Sequence, residues 1–536
     1  MKKGTKIALW SILLIVVVGF IVADTVVSSL ATRSVNSALE TMPGSEASVG
    51  RVHIRLFSGT AAVDDVNYRH FGQAAKGSKG DPGVTMHIDR IELGHVFWTK
   101  LLRKEVLVTS LRFVRPQMEL WLDEKHPELS FPAFKNDTTA QNKIAEYFRI
   151  ALMKLQVEDA AFALHSVRTQ LDLQAEDCSL TIRDLAYDSV FTYCDSLYDF
   201  SLGRAEVLIP DGSLRIETHD ISTADSGPLC IGKTILGHTM GKKELGERLK
   251  EPTSWIRMEM ESFKTSAFNP IRKVLNQDYT LDRAEVVIGN MDVVRDLRFP
   301  PKEPFPMVQE ALLALKTVFL IKQVDVQIPQ LNVELMSTNI NCGQLKMKRI
   351  HAVAQNVTNR RNQTMRIKGG CPIEEGKMQI EMNFTANKDC DFETKLHAEN
   401  VNVSYLNTLI RPLVGMTCNL QVDTFDTHYR GNKIEAAGQF RMLYHGLDIQ
   451  VHKEDDIPYK IVTRNAGAIN SAAHTLLPKS NPATPGGKPS AFNVTWKRDE
   501  WKPTELYLFG PCINGVVKTM LPGLFIKDKT KVLDFQ

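Results

Sequence analysis

The chain has 536 residues, enough for two to four compact domains or one extended body. Its 65 Lys and Arg nearly balance 62 Asp and Glu, leaving a formal net charge of +3, and the basic residues are scattered rather than gathered in a stripe, which argues against a nucleic-acid partner. Eight cysteines without a CxxC pair are too few and too dispersed for a disulfide framework, and no metal or cofactor is expected.

In chain order, residues 1–6 form a basic tail carrying Lys2, Lys3 and Lys6. Ile7 to Ala23 then runs for 17 residues without a charge. At about 1.5 Å per residue this run spans roughly 26 Å as a helix, and Thr25 to Val27 lengthen it toward a hydrocarbon layer of about 30 Å. A cut after Ala23 would put Ile21 where a secretory signal needs a small residue, so an uncleaved transmembrane helix over 7–27 is expected. With lysines before the run and Asp24, Arg33 and Glu40 after it, the amino terminus is expected in the cytosol and everything downstream across the membrane. Val26, Val27, Leu30, Ala31, Val35, Ala38 and Leu39 keep helical spacing, which predicts a stalk over 28–43 that stops at Pro43-Gly44.

The rest alternates with period two. Val52, Ile54 and Leu56 share one face, as do Leu155 with Val157, then Met378, Ile380, Met382 and Phe384. Val401, Val403 and Tyr405 repeat the pattern, followed by Leu447, Ile449 and Val451, and by Leu506 with Leu508. Such segments are strands apolar on one side, and the scarcity of long helical crossovers makes the sheet mostly antiparallel. Short helices are expected near Thr139–Lys154, Pro306–Thr317, Tyr405–Leu413, Ala466–Leu477 and Ile513–Leu521, with loops at Gly72–Gly83 and Pro478–Pro489. The domain reading is an amino-terminal β region over 44–300, a second over 301–477, and a linker with a terminal strand and helix over 478–536. Leu111–Leu120 aligns without a gap on Val324–Val333, sharing Pro-Gln and the apolar pattern that includes Val324 and Val326. Proline cannot donate to a ladder, so Pro116 and Pro329 are expected at an edge or a bulge.

Gly227-Pro-Leu-Cys-Ile-Gly-Lys233-Thr234 matches a phosphate-binding loop literally, but polar Ser222–Ser226 precedes it and Gly237 and Gly241 interrupt the segment after it, so a coincidental loop is expected. The histidines lack HExxH spacing and there is no GxSxG elbow. Asp423, Asp426 and His428 sketch a metal or acid/base cluster, against a plain solvated strand face. The cysteines read as buried thiols, with Cys178–Cys194 and Cys371–Cys390 the pairs best placed for a bond.

Three stretches resemble the AsmA-like proteins of bacterial envelopes: the amino-terminal span followed by Gly50–Thr60 and Val63–Val66; Arg90 to Leu120 with its Pro-Gln-Met-Glu-Leu ending; and Val401–Gly415 followed by Gly438–Val451. The resemblance implies a protein of the bacterial inner membrane, single-pass and largely periplasmic. Its elongated, curved antiparallel sheet would form an apolar groove, binding or transferring membrane lipids and supporting outer-membrane assembly without catalysis. The residues assigned to such a groove are Val52, Ile54, Leu56, Val324, Val326, Met378, Ile380, Met382, Phe384, Leu447, Ile449 and Val451. The alternation fits a closed core of stacked sheets as well as an open groove. A second reading makes the chain an envelope assembly factor that binds outer-membrane proteins by adding strands at its edges.

Overall fold

The computed structural model describes residues 3–39, 45–71, 82–97, 105–123, 149–166, 171–187, 198–209, 213–223, 227–267, 279–315, 317–336, 342–452, 466–484, 486–522 and 529–530, and within the first helix it describes side chains only from Ile21 onward. The chain is mostly β and divides into two compact units, Met1–Gly232 and Lys233–Gln536.

The first unit opens with helix α1 (Lys3–Leu39), followed by β1 (Ser45–Arg55), β2 (Thr60–Phe71), β3 (Gly83–Leu93), β4 (Glu105–Val108), β5 (Leu111–Leu122), β6 (Arg149–Ser166), β7 (Asp172–Tyr187), β8 (Tyr198–Leu208), β9 (Leu214–Thr223) and β10 (Pro228–Ile231). Neighbours pair antiparallel in the order β1-β2-β3-β5, and β4 and β5 both run parallel to β6 before the antiparallel order resumes through β7, β8 and β9 to β10. The helix expected over Thr139–Lys154 is corrected where it is described. Arg149–Lys154 belongs to β6, whose parallel pairing with β4 and antiparallel pairing with β7 outweigh helical spacing.

Helix α1 runs unbroken through the apolar segment and the expected stalk as far as Leu39; positions 40–43 of that stalk lie outside the described residues. Among the described residues no helix is long and apolar enough to cross a membrane, and of Ile7–Ala23 only Ile21, Val22 and Ala23 have described side chains. Beyond that run α1 lies along the outer edge of β1. Asp24 Oδ1 accepts from Leu56 N–H at 2.9 Å, Ser28 Oγ from Ile54 N–H at 2.8 Å and Thr32 Oγ1 from Val52 N–H at 2.9 Å. Asn36 completes the series by accepting from Val49 N–H at 2.8 Å and donating to Val49 C=O at 2.9 Å. Four helical residues rise about 6 Å and two strand residues about 6.7 Å, so polar side chains every fourth residue meet every second strand amide from Leu56 to Val52, and a three-residue step then leads to Val49. An edge that would otherwise offer free amides is thereby satisfied.

The second unit contains β11 (Thr234–His238), α2 (Lys242–Leu249), β12 (Thr253–Ala267), β13 (Tyr279–Asp296), α3 (Val308–Leu313), β14 (Phe319–Met336), β15 (Cys342–Thr358), β16 (Thr364–Ile373), β17 (Gly376–Thr385) and β18 (Phe392–Asn402). A 3-10 turn (Val403–Leu406) leads into α4 (Asn407–Val414), followed by β19 (Met416–Gly431), β20 (Glu435–Val451), α5 (Ala466–Leu476), β21 (Ala491–Lys497), α6 (Thr504–Met520) and β22 (Lys529–Thr530). Strands pair in chain order, antiparallel except for β13 with β14. Two strand expectations are corrected. Val403 and Tyr405 lie in the 3-10 turn, capped by Asn402, whose side chain accepts from Ser404 N–H; Leu506 and Leu508 lie in α6, which is longer than the expected Ile513–Leu521.

Pro116 and Pro329 sit inside their sheets, not at edges. Each falls where the ladder is interrupted: Arg115 has φ +47°, and Arg349, across from Pro329, has φ +52°. A residue without an amide proton is tolerated there because no ladder bond is lost.

Candidate functional site

Across the first unit the cross-strand partners line up into apolar rows. Val52 faces Val63, which faces Ile91, and the row continues through Phe113, Val157, Leu180 and Phe200. Beside it runs Ile54–Ala61–Leu93–Leu111–Leu155–Ile182–Tyr198. Further along the strands lies a third row, Ala47–Tyr68–Met86–Met118–Phe162–Ala175–Ala205. These rows cross β1 to β8, seven strands of sheet or roughly 29 Å at about 4.8 Å per strand spacing.

Strict alternation alone would not keep these rows on one face. In β2 the apolar positions are 61 and 63, then 66 and 68; in β7 they are 173 and 175, then 178, 180 and 182. A line of left-handed residues crosses the sheet between the two phases, with φ of +56° at Asp65, +47° at Arg115, +51° at Asp159, +56° at Asp177 and +55° at Asp220. Burial in β1 shows the reset directly: Val49 and Val52 are both buried, while Gly50 and Arg51 between them are exposed. The opposite face agrees. Adjacent Asp64 and Asp65 both reach polar partners, Asp64 taking His53 at 2.8 Å and Arg90 at 3.6 Å while Asp65 takes Asn67 at 3.0 Å. Next to Arg90, Asp89 likewise meets His87 at 3.0 Å and Arg115 at 2.6 Å. Aspartate tolerates the left-handed region better than bulkier residues do. Space is made opposite it by glycine: a Cβ on Gly203 would lie 2.9 Å from Asp177 Cβ.

Among the described residues of this unit the only helix is α1, which packs on β1; no helix lies across the apolar rows of β2 to β8. Of the expected groove residues here, Val52 is buried at 5 %, Ile54 is half-buried, and Leu56 lies just past the strand end, exposed.

In the second unit most of the expected residues are covered. Met382 and Phe384 belong to a core with Phe392, Tyr429, and Tyr507, Leu508 and Cys512 of α6; Ile380 packs at its margin. Leu447 belongs to an adjoining core around Phe440 and Tyr444, with Ile449 against it. Val451 is buried, its N–H and C=O both bonded to the Asn470 side chain of α5. Helix α6 approaches closely because it offers glycine, and a Cβ on Gly515 would fall 2.1 Å from the Phe440 ring. Tyr429 donates its hydroxyl to Leu508 C=O at 2.6 Å. Burial raises the Tyr429 hydroxyl, pushes Cys512 up to about 11 and Tyr444 up to about 12, so this interior stays neutral. Met378, Val324 and Val326 are half-buried; Val324 faces Ala284 and Ala354, and Val326 faces Val286 and Ala352.

The chemically suggestive residues separate into ordinary pairs. Asp423 meets His445 at 3.2 Å, Asp426 meets His397 at 2.7 Å and Arg441 at 2.8 Å, and His428 meets Glu393 at 2.7 Å. They are no cluster, and among the described residues no group of three His, Cys, Asp or Glu is placed to hold a metal ion. The His428 contact, with help from Asn383 and Arg430, holds the Glu393 carboxyl down to about 2. Cys371 and Cys390 are free, buried thiols and no bond joins that pair; Cys178 is free, and Cys194 lies outside the described residues. The phosphate-loop sequence lacks the structure it would need. Pro228–Ile231 is a strand, Gly232 N–H is spent on His219 C=O at 3.1 Å, Lys233 is exposed, and no helix opens before Lys242.

The face reset is what strand reading missed, and its signal was present: Asp or Gly standing between two apolar phases at one level in successive strands. No protein-family model matches the chain, and no curated protein matches it.

Proposed function

We propose that the chain is a membrane-anchored envelope protein, of the AsmA-like kind its sequence resembles, that binds or transfers lipid along the apolar face of its first unit. The observation that carries this reading is the set of apolar rows from β1 to β8, with no helix across them among the described residues. A sixteen-carbon tail leaving a bilayer loses on the order of 10 kcal/mol unless another apolar surface receives it, at about 0.8 kcal/mol per methylene. Rows of Val, Ile, Leu, Phe and Met offer that surface without catalytic residues. Assigning the lipid face to the first unit rests on the rows of β17 to β21 in the second unit being filled by that unit's own helix α6. The strand-addition reading is weakened at one edge, because α1 already satisfies the outward amides of β1.

Residues Asp24–Gln536, which keep the α1–β1 contacts, purified without detergent, are expected to carry phospholipid detectable by mass spectrometry. Phe162→Asp should lose that lipid and remain folded by circular dichroism, whereas Met382→Asp should unfold because its side chain is buried beneath α6. Lipid-free wild type, or full lipid retention in Phe162→Asp, overturns the reading.

A further inference from the structure

The side-chain ladder between α1 and β1 does more than close an edge; it fixes the height of β1 along the helix. Leu56 N–H is held by Asp24, the first charged residue after Ile7–Ala23, and Val49 is held by Asn36 twelve residues on, about 18 Å further along the helix axis. The β1–β2 turn therefore sits at the end of the apolar run, and β1 climbs away from it.

That turn carries the most exposed large apolar side chain among the described residues, Phe57 at 82 %, next to exposed Leu56, while Ile21 and Val22 of α1 are exposed just below Asp24. Arg55, also exposed, makes no ion pair among the described residues and stands one residue before the turn. An aromatic ring with an arginine beside it, level with the end of an apolar helix, has the composition of a bilayer interface: the ring at the acyl boundary and the guanidinium among lipid phosphates.

We propose that the β1–β2 turn inserts Leu56 and Phe57 into the interface of the bilayer that holds α1, with Arg55 against lipid phosphates, so that the first sheet stands directly on the membrane surface. The proposal rests on the membrane-anchor reading. It gives a lipid leaving the bilayer a starting point beside Ile54 and Val52, the first members of two apolar rows.

The test places a benzophenone photocrosslinker singly at Val16, Phe57 or Glu46 of the full chain, reconstituted in vesicles of phosphatidylethanolamine and phosphatidylglycerol. Lipid adducts are then read by mass spectrometry. Phe57→benzoylphenylalanine should give adducts in yield comparable to the Val16 position, and Glu46, exposed at the far end of β1, should give none. Adducts at Val16 without adducts at Phe57 overturn the docked turn while leaving the anchor standing; no adducts at Val16 overturn the anchor and the turn together.

Discussion

The two units use the same strand chemistry and finish it differently. In the second, the apolar rows of β17 to β21 end beneath α6, whose Gly510 and Gly515 set the helix backbone against Trp496 and Phe440. In the first, equally apolar rows cross β1 to β8, and the one helix among the described residues is spent on the edge of β1. An alternating strand specifies an apolar face but not its cover. The cover comes from elsewhere in the chain, here from a helix that begins at Thr504, well beyond the end of β20 at Val451.

The largest effect that distinguishes the two faces is the loss of a ring. Phe440 is fully buried and contacts Phe425 edge-on at 4.9 Å between ring centres, so Phe440→Ala should cost about 3–5 kcal/mol in urea unfolding of the second unit. Phe113, half-buried in rows that no helix crosses among the described residues, should cost less than about 1.5 kcal/mol as Phe113→Ala, since part of its surface already meets solvent. Equal costs would mean that the first face is sealed as tightly as the second.

A smaller effect tests the line that keeps the first face continuous. Gly203→Val would push a side chain into Asp177, whose Cβ already lies 2.9 Å from where the new Cβ would go, while Asp177 is held at φ +56°. Overpacking of this kind should cost about 1–3 kcal/mol, with amide exchange accelerated first in β7 and β8. Exchange unchanged in those strands would show that the phase change survives without this contact, and that the apolar rows do not depend on it.

How much of this was legible in the sequence depends on which interactions are local. Period-two runs such as Met378 to Phe384 correctly announce strands because alternation is a property of single strands, and the helices expected at Ala466–Leu477 and near Tyr405–Leu413 are found as α5 and as α4, which starts at Asn407. The burial of Met382 and Phe384 was not legible, because the partner is α6, more than a hundred residues away, and Leu506 and Leu508 within it were close enough together to imitate a strand. The strand identity of Arg149–Lys154 depends on parallel pairing with β4, a contact without a local signature. The reset at Asp65, Asp159 and Asp177 was legible in principle, but only by placing several strands side by side, since in one strand a lone Asp between two apolar phases reads as a break.

The smallest effect concerns the polar side of the second sheet. His397 stands between Asp426 at 2.7 Å and Glu399 at 2.8 Å, and hydrogen bonding to Asp426 first, then Glu399, raises its pKa in the folded chain above the ordinary histidine value. Arg441, bonded to Asp426, and Lys377, bonded to Glu399, temper the carboxylates it faces. Because the folded pKa is the higher one, the contribution is fully present below about pH 6.5 and is lost as pH rises through the raised folded value. Wild type should therefore exceed His397→Asn in stability at pH 6 by more than at pH 8, and by only a few tenths of a kcal/mol, because the ring is partly open to solvent. On the buried side the pKa values rise too, but there the rise favours the uncharged form: burial keeps Tyr444 and Cys512 neutral across this range, so they add no slope. A pH dependence between 6 and 8 that persists undiminished in His397→Asn must then come from groups outside this trio, such as His428 with Glu393, and the trio would contribute nothing measurable to how firmly the covered unit is held.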